Sequence, residues 1–105
     1  GWKTIALQHD GLDNATLRDT ADQLRDRLGA DVVVIGSVDD DTARLIVSVN
    51  KAASTLHAGN IIRELAVHIG GKGGGRPDFA QAGGKNPAGL PAALAALAQV
   101  LPEKN

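Results

Sequence analysis

Residues 31–50, DVVVIGSVDDDTARLIVSVN, constrain the fold more than any other stretch of the chain. DVVVIGSV is β-branched and continuously apolar, the pattern of a central strand with cover on both faces. TARLIVSVN (42–50) has the same character, and the polar VDDDT between the two runs is a hairpin turn. The run Asp39-Asp40-Asp41 is then a solvated turn and not a paired-carboxylate site.

Helical periodicity supplies the cover. Leu17, Ala21, Leu24 and Leu28 recur at i, i+4, i+7 and i+11, and Arg18, Asp19, Asp22, Arg25 and Asp26 fall on the other sides. Asp13 is placed to cap this helix, Leu12 and Leu17 occupy the staple positions, and Gly29 stands where a left-handed residue ends it, which predicts a helix over 14–28. WKTIALQH (2–9) precedes it as a short strand followed by the turn signal DG. A second helix is expected from Ser54 or Thr55, with Ala58, Ile61, Ile62, Leu65, Ala66 and Ile69 on one face, ending at Gly70-Gly71. Gly59 inside that helix implies close packing against a neighbouring element. PDFAQAGG can be extended, because Arg76 precedes a proline. A third helix begins at Pro87 or Pro91 and shows Leu90, Leu94, Leu97 and Leu101 on one stripe. The expected class is α/β or α+β: a small mixed sheet with about three helices, in two or three layers.

The 105 residues suit one domain, 1–105, and 43% hydrophobic content is enough for a core. With no cysteine there is no disulfide and no thiolate ligand, which fits the cytoplasm. No apolar run has the length of a membrane span, and no signal peptide opens the chain. The start lacks Met, so the chain reads as a module cut from a longer protein. One Trp, one Phe and no Tyr argue against an aromatic base-stacking platform. His57 and His68, eleven residues apart on one helical face, stand about 16 Å apart, too far to share a metal ion. The net charge is only −1, yet residues 10–41 are mainly acidic, whereas Lys72, Arg76 and Lys85 place any basic pole in the C-terminal half.

GGKGGGRPDFAQAGG (70–84) holds seven of the thirteen glycines. It matches neither phosphate-cradle template: Lys72 is followed by Gly73 and Lys85 by Asn86, so no Walker lysine is present, and a dinucleotide fingerprint begun at Gly71 meets Arg76 where its last glycine belongs. The stretch follows a helix C-terminus, whose dipole repels anions. Two readings remain: an architectural turn, or a flat, donor-rich loop that lets a phosphate backbone approach, with Lys72 and Arg76 as the charged contacts.

The same fifteen residues, in this order of elements, resemble the DHHA1-type C-terminal domain of bacterial alanyl-tRNA synthetases. Phe79 departs from that pattern, where many members carry Met. The resemblance implies a non-catalytic domain that binds the elbow of tRNA and helps the aminoacylation and editing domains of the same chain act on one tRNA. ATP, Mg and Zn would then be used in other domains, with no cofactor here, and the isolated domain would be monomeric. The alternatives are a nucleic-acid module of a DHH-type phosphoesterase or of a free-standing alanyl-tRNA editing protein. The expected contact residues are Lys72, Gly73, Gly74, Gly75, Arg76, Asp78, Gln81 and Lys85.

Overall fold

The 31–50 hairpin forms the middle of a five-stranded sheet in the computed structural model, which describes residues 2–102. The elements run β1 (Thr4–Gln8), α1 (Asn14–Leu28), β2 (Val32–Asp39), β3 (Thr42–Val49), α2 (Ala58–Ala66), β4 (Gly71–Gly75), β5 (Phe79–Gly84), α3 (Leu90–Ala95) and α4 (Leu97–Val100). Short 3₁₀ turns at Val67–Ile69 and Pro87–Gly89 lead out of α2 and into α3. The sheet order is β1-β2-β3-β5-β4, with β1 parallel to β2 and every other pair antiparallel. β2 pairs with β3 from Val32↔Val49 to Asp39↔Thr42, leaving Asp40 and Asp41 exposed at the tip.

Strand alternation divides the core in two. Val33, Ile35 and Ile46 face α1 and close over Leu17 and Ala21, whereas Val32, Val34, Leu45 and Val47 face the layer of α2, α3 and α4. The architecture is therefore three layers, helix on sheet on helices. Asp13 caps α1 by accepting from the Thr16 amide at 2.8 Å, and Gly29 ends it at φ 63°. The bond from the Thr16 backbone holds the Asp13 carboxyl below its ordinary pKa. The cap's contribution is thus present above the unfolded pKa and is lost as pH falls through the lowered folded value.

Three elements differ from the sequence expectation. α2 starts at Ala58, because Asn50 draws the intervening backbone into turns: its side chain accepts from Ala52 N at 3.0 Å and its carbonyl from Ala53 N at 2.8 Å. His57 becomes the cap, with Nδ1 accepting from Asn60 N at 3.2 Å, and His68 lies in the 3₁₀ turn, so the two do not share a helical face. The glycine stretch is not a loop. Gly71–Gly75 is an edge strand paired with β5 from Gly71↔Gly84 to Gly75↔Ala80. The third helix is present with Leu90 and Leu97 buried, but it breaks at Ala96 into α3 and α4. Leu90 seats α3 on β2 at Gly36, where a Cβ would come within 2.7 Å of the Leu90 side chain.

Gly70 leaves the 3₁₀ turn at φ 66°, the left-handed conformation that reverses the chain into β4. Gly70→Val places a β-branched residue there and is expected to cost about 1–2 kcal/mol. Urea unfolding measures it, and an unchanged midpoint contradicts the role of this residue.

Candidate nucleic-acid interface

Opposite faces of the β4–β5 hairpin meet different environments. α2 packs on one face, tied at both ends: Ala58 N donates to Pro77 O at 2.8 Å and Gly59 N to Arg76 O at 3.3 Å, and beyond the other end Asn86 N donates to Ile69 O at 2.9 Å. The expected close approach at Gly59 is present, since a Cβ there would stand 2.8 Å from Gly75 O. The other face is open. α1 lies over β2 and β3, so Lys72, Gly74, Gln81 and Gly83 beyond it are exposed.

The glycines divide accordingly. A Cβ on Gly71 would lie 1.9 Å from Gly83 O, one on Gly73 2.5 Å from the Ala82 Cβ, and one on Gly75 2.5 Å from Phe79 O. These three must lack side chains for the hairpin to close. Gly74 is different: no atom lies within 4 Å of a Cβ placed there, and its φ is not positive. Neither packing nor backbone geometry requires glycine at 74. The bare position faces outward, opposite Gln81 and two residues from Lys72.

Of the eight expected contact residues, Lys72, Gly74 and Gln81 share this open face. Arg76 begins the turn at the end of the hairpin, its amide donating to Phe79 O at 2.8 Å across Pro77 and Asp78. Its side chain is 65% exposed and stands 3.8 Å from the Asp78 carboxylate, a pairing too long and too solvated to commit it. Gly73 and Gly75 turn their absent side chains to the α2 side, and ladder alternation from the Arg76–Phe79 bond aims their backbone groups at the free edge. Lys85 follows β5 at the far end, about 20 Å of strand from Arg76 and two residues beyond the partner of Lys72. The site is a strip along the hairpin.

Sequence reading missed Arg18. The helical period puts it simply on the polar side of α1, yet its guanidinium carbon lies 4.4 Å from the centroid of the Phe79 ring, at the border of the open face. Only the pairing Ser48↔Phe79 reveals this, because Ser48 receives a bond from Arg25 of α1 at 2.8 Å and so puts Phe79 on the α1 side. β4 runs back along α2, so the Arg76 turn meets the helix N-terminus, whose first donors are taken by turn carbonyls. Among the described residues no group of His, Asp and Glu could hold a metal ion, and no helix is long and apolar enough to cross a membrane.

The DHHA1 domain family model matches residues 2–103. The chain belongs to the DHHA1 family. It is 68% identical over 104 residues to the alanine–tRNA ligase of Dichelobacter nodosus, and 49% identical over 96 residues to that of Delftia acidovorans. These matches cover 99% and 90% of this chain but only 12% and 11% of the ligases, so the chain spans about an eighth of the relatives it matches. In three dimensions it superposes on the C-Ala domain of Aquifex aeolicus alanyl-tRNA synthetase with a TM-score of 0.84 and 35% identity, covering 96% of this chain and 95% of that one. The DHHA1 domain therefore has the C-Ala fold.

Gly73→Ala and Gly74→Ala separate packing from openness in this DHHA1 domain. The first forces the Ala82 contact and is expected to lose about 1–3 kcal/mol. The second meets nothing and lowers unfolded-state entropy, so it should be neutral or stabilise by up to about 1 kcal/mol. Paired denaturation curves decide, and equal losses would mean that Gly74 too is held by packing.

Proposed function

We propose that this domain is the tRNA-binding C-terminal module of a cytoplasmic alanine–tRNA ligase, contacting the tRNA elbow and helping the aminoacylation and editing domains of its parent chain act on one tRNA. The carrying observation is Gly74. A position that packing and dihedral angle leave free, kept bare on an exposed face beside Lys72, Gln81 and Arg76, suits the close approach of a ligand backbone. A flat strip with few aromatics suits recognition by shape, phosphate and 2′-OH contacts. The ligase relatives favour this parent over a phosphoesterase or a free-standing editing protein. ATP, Mg and Zn chemistry would belong to the parent's other domains.

Charge sets the expected strength. The chain is net −1, and Arg25 and Arg44 are neutralised by Asp22, Asp26 and Asp39, so attraction depends on Arg18, Lys72, Arg76 and Lys85 along the open face and its edge. Lys72 holds phosphate as a point charge, whereas the Arg76 fork holds it bidentately. Lys72→Ala and Arg76→Ala should each leave stability within about 0.5 kcal/mol. Each should flatten the log–log salt dependence of tRNA binding by roughly one unit, with the larger affinity loss for Arg76→Ala. Arg27→Ala, on an exposed position of α1 away from the strip, is the control. Gly74→Val should weaken binding with the fold intact. Unchanged slopes and affinities in all three strip variants would remove the RNA surface from this hairpin.

A further inference from the structure

A chain with one Phe and no Tyr has little aromatic surface to offer a base, but the fold places that one ring where it can serve. Phe79 opens β5 on the α1 side of the sheet, half-buried, with the Arg18 guanidinium 4.4 Å from its centroid. A guanidinium is planar and weakly hydrated, and it stacks on an aromatic face while its remaining surface stays available. Arg18 is exposed, and no described carboxylate pairs with it, in contrast to Arg25 and Arg44.

Arg18 and Phe79 wall a shallow open depression of about 290 Å³, whose lining also includes Gly74, Arg76 and Gln81. That volume is at the lower limit of small-molecule pockets, the scale of one flat group. Its walls differ in chemistry. Arg18 presents the outer face of a planar cation backed by the Phe79 ring, Gly74 leaves room for close approach, and the exposed Gln81 amide offers both a donor and an acceptor. A phosphate would use the charge of Arg18 and gain nothing from the ring behind it. A heterocyclic base uses all of them.

We propose that this depression is a nucleobase seat: one exposed base of the bound RNA stacks on the Arg18–Phe79 pair, the Gln81 amide bonds its edge, and Lys72 and Arg76 hold the adjoining backbone. Arg18 and Phe79 thereby become specificity-determining contacts. The proposal rests on the RNA-binding reading above and adds base contact to it.

The test uses an intact alanine tRNA transcript, titrated over a salt series with the unsubstituted chain, Phe79→Leu, Arg18→Lys and the double variant, with a melting curve for each. Phe79→Leu keeps apolar bulk and loses the ring; Arg18→Lys keeps the charge and loses the plane. Each single substitution is expected to lower affinity about tenfold, the scale of one lost base stack, with the salt slope unchanged. The double variant should lose less than the product of the two singles, because the pair acts as one surface. Dimethyl sulfate or carbodiimide footprints should show a base protected by the unsubstituted chain and exposed again in both variants. Unchanged affinity in both singles, or losses that come with flatter salt slopes and no base protection, overturns the seat while leaving phosphate binding in place. If Phe79→Leu does not fold, the surface variant Arg18→Lys decides alone by the same readouts. An unsubstituted chain that fails to bind the transcript overturns the RNA reading and the seat with it.

Discussion

The attachment of α2 to the β4–β5 hairpin at both of its ends determines the rest of this structure. At one end the first amides of the helix are spent on the carbonyls of Arg76 and Pro77, and at the other Asn86 N bonds the carbonyl of Ile69. Held so closely, the helix and strand leave no space for side chains at their contact: Gly59 meets Gly75 O, and a Cβ on Gly84 would lie 2.1 Å from Ile69 O. Gly59 and Gly84 follow from this approach, whereas Gly71, Gly73 and Gly75 are held bare by atoms of β5 across the hairpin. Glycine is costly in a strand, and the return is a hairpin whose tip and edge are fixed by backbone bonds to a buried helix.

The placement of α1 creates the open face. α1 connects the parallel strands β1 and β2 and packs over β2 and β3, leaving β5 and β4 uncovered on that face of the sheet. The covered part has settled its own charges: Arg25 bonds Ser48 and pairs with Asp22, and Ser48 in turn donates to Asp22 at 3.1 Å. The uncovered part has not. Lys72 and Arg18 have no described carboxylate partner, and Arg76 has only a distant one. A nearly neutral chain thus carries a local cationic strip, with net charge hiding what distribution shows.

Much of this was legible in the residues, for physical reasons that differ by element. α1 announced itself through period and caps together, and Asp13 and Gly29 behave as those signals require. The β2–β3 hairpin was legible because β-branched runs around an acidic turn have few alternatives. The start of α2 was not, because Ser54 and Thr55 look like caps, whereas tertiary bonds to Pro77 and the Asn50 turns placed the first helical residue at Ala58. β4 was illegible for a different reason: glycine carries no side-chain periodicity, so a strand of GKGGG reads as a loop until its partner is known. The eight candidate contact residues came partly from charge and glycine content and partly from family resemblance. Arg18 could come from neither, since only the register of β5 brings Phe79 beneath it.

The central claim, that this hairpin face recognises folded tRNA by its elbow, is tested most directly by one comparison. The chain is titrated at fixed salt with an intact alanine tRNA transcript and with the same transcript carrying substitutions that break the contact between its D and T loops. Charge and length are equal in the two RNAs, so simple electrostatic attraction predicts equal affinity. Recognition of the elbow predicts much tighter binding of the intact molecule, with the difference abolished by Gly74→Val. Equal affinity for both transcripts would contradict the account.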